Sequence, residues 1–189
     1  AFIDCDDELA SSFDRDGAVL FSQLVASRVK GAAAVSGEHA EPVSGLMHYS
    51  SFFRWLKLVC DDYRKGVRIA TLFVLAIDDF ASVALRYSHP AGEDLIRMVA
   101  DRVRSIFGPS AYMAHMGMGV FSALLLDLPP KDEGRIVRNI ELSFAPGIFS
   151  VKGIDVHMNF KLGVAVFPRD AANAEKLWKR AFRSMRELG

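Results

Sequence analysis

The stretch "VRIATLFVLAID", residues 67–78, decides how the rest of the chain is read. From Ile69 to Ile77 it runs nine residues with only Thr71 interrupting the apolar side chains. A strand with one wet face alternates apolar and polar residues, so a near-continuous run predicts a strand buried on both faces. These nine residues fall far short of the roughly 20 that span a bilayer, so the run is no transmembrane helix.

Upstream, Phe52, Leu56, Val59 and Cys60 follow helical spacing and Gly66 stops the run, which predicts an amphipathic helix docking on that sheet. Earlier still, "GAVLFSQLVASRV" (17–29) places Val19, Leu20, Leu24 and Val25 on one helical face. "KGAAAVSGEHAEP" then supplies small and polar residues ending in Pro42. Residues 1–40 are therefore expected to form an upstream element, a helix and a linker, and 41–189 the domain proper. The chain opens with Ala rather than Met and without a signal-type start, so a piece of a longer protein is expected.

Downstream, a helix is predicted from Pro90 to about Phe107, with Pro90 near its first position and Glu93 and Asp94 in its first turn. Leu95, Met98, Val99, Val103 and Ile106 should face inward. Two strands in a hairpin follow (about 111–126), then a helix (131–144), strands near 147–151 and 154–166, and a last helix from about 171. Alternating strands and helices with one internal hairpin predict an α/β fold with a mixed sheet. The hairpin "AHMGMGVFSALLL" (114–126) has the frame of a catalytic turn, yet no acid or base stands between its glycines and its apolar tail.

Composition narrows the function classes. The 189 residues are 51% hydrophobic and 24% charged, as in a soluble globular chain long enough for one domain and an appendage. Lys plus Arg and Asp plus Glu each number 23, so no global field gathers nucleic acid or an anionic membrane. Cys5 and Cys60 lack the close partners of a zinc site and are too few for a disulfide framework, which makes a reducing cytoplasm the expected compartment.

Four stretches, in order, carry a resemblance to the GGDEF family, the diguanylate cyclase domain. "EPVSGLMHYSSFFRWL" resembles the family's "DPLTGLPNRRAF", and "LFVLAIDDFASVALRYSHPAGEDLIRMVADRVRS" resembles "LLLDIDHFKxINDxxGHxxGDxxLxxVAxRL". "HMGMGVFSALL" stands where "RxGGDEFxxLL" would, and "KLGVAVFPRDAANAEKLWKRAFRSM" resembles "SxGVAxYPxDGxxxxxLLxxADxAM". The resemblance implies a palm related to adenylyl cyclases, with a central mixed β-sheet flanked by helices. Active members dimerise and join two GTP molecules into cyclic di-GMP with divalent cations, which carboxylates must hold.

In the aligned stretches Ala76 takes the place of the first metal-binding Asp, Gly119 that of the second metal-binding acid and Val120 that of the catalytic acid, while Met118 replaces a Gly. The resemblance therefore implies no metal site of the family's kind and no cofactor. Asp78 and Asp79 remain nearby but are not expected to take the place of Ala76, and Asp79 falls where phosphates would be repelled. Ala81 and Ala84 replace a Lys and a guanosine-contacting Asn, and "GPSA" (108–111) lacks both charges of the "RxxD" product site. What survives is scaffold: Ile77, Phe80, His89, Gly92, Gly117 and Phe121.

Glu93 has two readings, a retained guanine contact or a helix first-turn acid favoured by the macrodipole. The five histidines lack metal-ligand spacing, so His89 reads as part of a structural turn and His115 as the replacement of an Arg on a strand. Trp55 and Trp178 cannot be told from packing residues, and Trp178, sharing a helical face with Phe182, reads as core. The expected function is a catalytically inactive regulatory or dimerisation module of a larger cyclic di-GMP signalling protein. Its expected partners are proteins or other domains of its own chain, such as an EAL or sensory domain; a homodimer stays open. The alternative is a non-catalytic domain sensing GTP or cyclic di-GMP through Gly92, Glu93 and the backbone near Phe80, and the third reading is a residual cyclase.

Overall fold

The computed structural model describes residues 40–63, 69–78, 80–87, 89–151 and 153–188. The helix read at 17–29, the linker, Gly66 and Asp79 lie outside the described residues. In chain order the elements are β1 (Met47–His48), α1 (Tyr49–Tyr63), β2 (Ala70–Ile77), α2 (Phe80–Tyr87), α3 (His89–Phe107), β3 (Tyr112–Gly117) and β4 (Val120–Leu126). They continue with α4 (Pro130–Phe144), β5 (Ile148–Val151), β6 (Ile154–His157), β7 (Phe160–Phe167), α5 (Ala174–Arg183) and β8 (Arg186–Glu187).

Six strands form one sheet in the order β1-β3-β4-β2-β7-β8. β2 runs antiparallel to both β4 and β7, whereas β1 is parallel to β3, so the sheet is mixed as expected. All eight residues of β2 are buried, because side chains of alternate residues enter two separate layers. Phe73, Leu75 and Ile77 join Phe121, Ala123 and Leu162 against Leu95, Val99 and Val103 of α3 and Ile140 and Phe144 of α4. On the other face α1 and α5 cover the sheet with Phe52, Leu56, Cys60, Leu177 and Ala181. Trp55 stacks on Tyr112 of β3 with ring centroids 3.6 Å apart, and Trp178 meets Phe53 of α1 edge-on at 5.0 Å. Both tryptophans are therefore packing residues, while Phe182 stays partly exposed.

Three sequence expectations change. The first is a helix that was not foreseen, α2, which precedes α3; α3 in turn begins at His89, so Glu93 and Asp94 leave the first turn. Arg97 bridges them, at 3.1 Å to Glu93 and 2.7 Å to Asp94. The second is that the stretch read as one strand over 154–166 is two, in different sheets. β6 pairs only with β5, and the chain crosses to the main sheet at Met158, whose N–H bonds the Gly147 carbonyl at 2.8 Å. Arg102 holds this ribbon to α3: its guanidinium lies 4.1 Å from the Phe149 ring centroid and donates to the Ser143 carbonyl at 2.8 Å. The third is the last helix, which starts at Ala174 because Asn173 caps it, accepting the Lys176 N–H at 2.9 Å. Among the described residues no helix is long and apolar enough to cross a membrane.

Candidate functional site

β2 ends where the hairpin between β3 and β4 turns. Ala76 has Val120 of β4 and Lys161 of β7 as its register partners. Opposed residues of antiparallel strands point to the same face, so these three side chains share one face at one end of the sheet. The hairpin is tied to β2 there by the Ile77 N–H, which donates to the Gly119 carbonyl at 3.0 Å.

The turn itself is built from three successive left-handed residues, Gly117, Met118 and Gly119, with φ of 90°, 49° and 74°. Glycine takes this conformation freely, whereas a side chain such as that of Met118 costs on the order of 1–2 kcal/mol. Met118 is 71% exposed, so nothing in the core requires its side chain. Gly119 is buried and closely covered: a Cβ there would lie 2.9 Å from both Cβ and Cγ of Phe80, and 3.2 Å from Cβ of Ile77. Phe80, the first residue of α2, thus rests on the glycine, and Phe121 anchors the returning strand at 1% exposure.

Among the described residues, Asp78 at this end of β2 is engaged by a lysine. Asp78 accepts a hydrogen bond from Lys161 Nζ at 2.9 Å, and its N–H bonds the Asn159 carbonyl at 2.8 Å. The bond from Asp78 is the main influence raising the Lys161 amine above its ordinary value; desolvation opposes it, and the charges of Asp78 and Glu187 add to it. In the aligned motif Lys161 stands at the Ser of "SxGVA", so a cation sits beside the position of Ala76. Among the described residues no three His, Cys, Asp or Glu side chains are placed to hold a metal ion.

Ala76, Gly119, Val120 and Phe80 are thus brought together. Gly92 and Glu93 belong to the following helix, α3, where Gly92 is buried and Glu93 accepts from Arg97. Gly108 to Ala111 form the turn from α3 to β3, with the Gly108 N–H on the Arg104 carbonyl at 2.9 Å. Ala81 is exposed at the start of α2.

Sequence reading missed one buried pair. His115 lies on β3 and Glu41 opens the turn that leads into β1, and their Nδ1 and Oε2 atoms are 3.0 Å apart. The signal was available, because Glu41 stands at the Asp of "DPLTGL" and His115 at the Arg of "RxGGDEF", an acid and a base in both cases. Burial alone would raise the Glu41 carboxyl, but hydrogen bonds from Ser44, Val43 and His115 outweigh it and hold the group down at about 2. The His115 Nε2 and Ser122 Oγ atoms are both buried without a partner among the described residues. They do not make a Ser–His–Glu triad, because Ser122 opposes Ala114 and Phe121 opposes His115, which sends the two side chains to opposite faces.

The profile described as "Diguanylate cyclase, GGDEF domain" matches residues 39–189. The chain is 26% identical over 117 residues to the cyclic di-GMP phosphodiesterase NbdA of Pseudomonas aeruginosa, covering 62% of this chain and 15% of that protein. It is 22% identical over 139 residues to the cyclic di-GMP phosphodiesterase PdeB of Shewanella oneidensis, covering 74% of this chain and 16% of that protein. It therefore spans about one sixth of the length of these relatives. Among solved structures, the GGDEF domain of FimX from Pseudomonas aeruginosa has the same fold, with a TM-score of 0.71 at 21% identity over 77% of this chain and 90% of that one. With the profile spanning residues 39–189 and the fold shared, the chain belongs to the GGDEF family of diguanylate cyclase domains.

Proposed function

We propose that this GGDEF domain is catalytically inactive and works as a regulatory or dimerisation module of a larger cyclic di-GMP signalling protein in the cytoplasm. One observation carries the reading: the end of β2 and the hairpin turn present Ala76, Gly119 and Val120 where the aligned motifs have acids, while Phe80 covers Gly119 and Lys161 engages Asp78. Joining two nucleotides needs divalent ions to polarise the phosphoryl group, and an alanine, a glycine and a valine bring such ions no carboxylate. A lysine on the same face pairs with Asp78 at the end of β2.

Partners on this reading are proteins or other domains of the same polypeptide, an EAL or sensory domain among them. Support comes from NbdA and PdeB, phosphodiesterases by name, in which the matched region is 15% and 16% of the whole. Incubation with GTP and Mg²⁺ or Mn²⁺ should yield no cyclic di-GMP by mass spectrometry. Turnover that disappears in Asp78→Asn would overturn the proposal.

A second reading, a domain that senses guanine nucleotide without turning it over, draws on the retained acid at Glu93 after the buried Gly92. Arg97 competes for that carboxylate, bonding it at 3.1 Å. Calorimetry separates the two readings: heat of binding from GTP or cyclic di-GMP at millimolar concentration, lost in Glu93→Ala, would favour the sensor, and its absence the contact module.

A further inference from the structure

We propose that Glu41 and His115 form a proton-sensitive latch tying the turn by which the chain enters the domain to the hairpin that carries Gly117 to Phe121. The latch concerns how the hairpin is held, and it stands whether or not nucleotide binds.

The turn is a closed unit. Glu41 N–H bonds the Leu46 carbonyl at 2.7 Å, Gly45 N–H bonds the Glu41 carbonyl at 2.8 Å, and Ser44 Oγ accepts the Leu46 N–H at 3.2 Å. The Glu41 carboxylate accepts the Val43 and Ser44 N–H groups at 3.1 and 2.8 Å, so it is fixed before it reaches His115. Across the contact the side chains are only 10% and 15% exposed, for His115 and Glu41. The His115 ring stacks on Phe121, its register partner, at 4.9 Å and 24°. Glu41 therefore holds the ring, and the ring bears on both strands of the hairpin two residues before Gly117.

Glu41 is ionised and can only accept, so Nδ1 of His115 carries a hydrogen in either protonation state and a second proton enters at Nε2. That atom is buried without a partner among the described residues, so no other hydrogen bond fixes the ring. The strength of the link then follows the charge of the imidazole: a neutral N–H···O⁻ bond becomes an ion pair when the ring is protonated. The aligned motif has Arg here, a permanent cation, whereas the charge of a histidine depends on its protonation.

The other charged groups around the ring are few. Arg104 arrives from α3, donating to the Ser44 carbonyl and pairing with Asp101 at 2.7 Å. His48 is the register partner of His115 on β1, and its Nδ1 lies 2.8 Å from the Ser50 hydroxyl oxygen. β4 contributes no titratable side chain, since Val120 to Leu126 are apolar or Ser122. Among the described residues His48 is thus the histidine in register with His115, and it serves as the control.

Hydrogen exchange of the hairpin amides, residues 117–121, decides the matter on the full chain at about pH 5.5 and about pH 8, with rates corrected for the intrinsic effect of pH. Protection should be about fivefold higher at the lower pH, the difference expected between a charged and a neutral hydrogen bond. His48→Asn should keep that difference, His115→Arg should show high protection at both values, and Glu41→Gln and His115→Gln low protection at both. Equal protection of the parent protein at the two pH values would sink the latch. So would a pH difference that persists in Glu41→Gln or vanishes in His48→Asn.

Discussion

Gly119 shows how closely one residue's surroundings can follow from the absence of a side chain. With φ of 74° and the Phe80 ring where a Cβ would go, the position accepts no substituent without a shift of α2's first residue. Gly119→Asp should therefore cost about 1–3 kcal/mol in chemical denaturation, from left-handed strain and displacement of Phe80, and should create no cyclase activity. A variant as stable as the parent would show that Phe80 yields freely. Ala76, Gly119 and Val120 could be set against the family's acids from the sequence, because each position is fixed by its place in a motif. The Lys161–Asp78 pair could not be read there, since its partners lie 83 residues apart and the pairing of β2 with β7 brings them together, whereas Glu41 and His115, 74 residues apart, left only the trace of an acid and a base at two motif positions.

At the scale of elements, legibility followed the strength of the local pattern. β2, the hairpin, α3 and α4 announced themselves by apolar runs, glycines at the turn and helical spacing. The split of 154–166 into β6 and β7 did not, because no Gly or Pro stands between Ile154 and Phe160, where the strands part, and the break depends on the distant Gly147. α2 was missed because its eight residues follow directly on a strand end without a punctuating glycine or proline. Between β7 and α5 the spacing is set by Gly163, where a Cβ would collide with the Ala181 carbonyl oxygen and lie 2.8 Å from Met185 Cγ. Backbone cannot yield as a side chain tip can, so Gly163→Ala should force α5 off the sheet and lower stability by several kcal/mol, about 3 as an order of magnitude. A melting temperature within a degree or two of the parent would show that the helix slides instead.

For the molecule as a whole, the two layers of helices share one sheet, and β2 contributes side chains to both. A fragment covering Val35–Gly189 should therefore unfold in a single transition, with equal calorimetric and van't Hoff enthalpies; two resolved transitions would mean that the layers fail separately. The strand order has one more consequence. Among the described residues the main sheet is bounded by β1 and β8, each two residues long, so the outermost strands themselves offer another chain only a short ladder. Recognition by strand addition, which needs a long open ladder, finds only two-residue outer strands at those margins. A partner that reads side chains on the helices and turns should have an affinity that answers to surface substitutions rather than to backbone register.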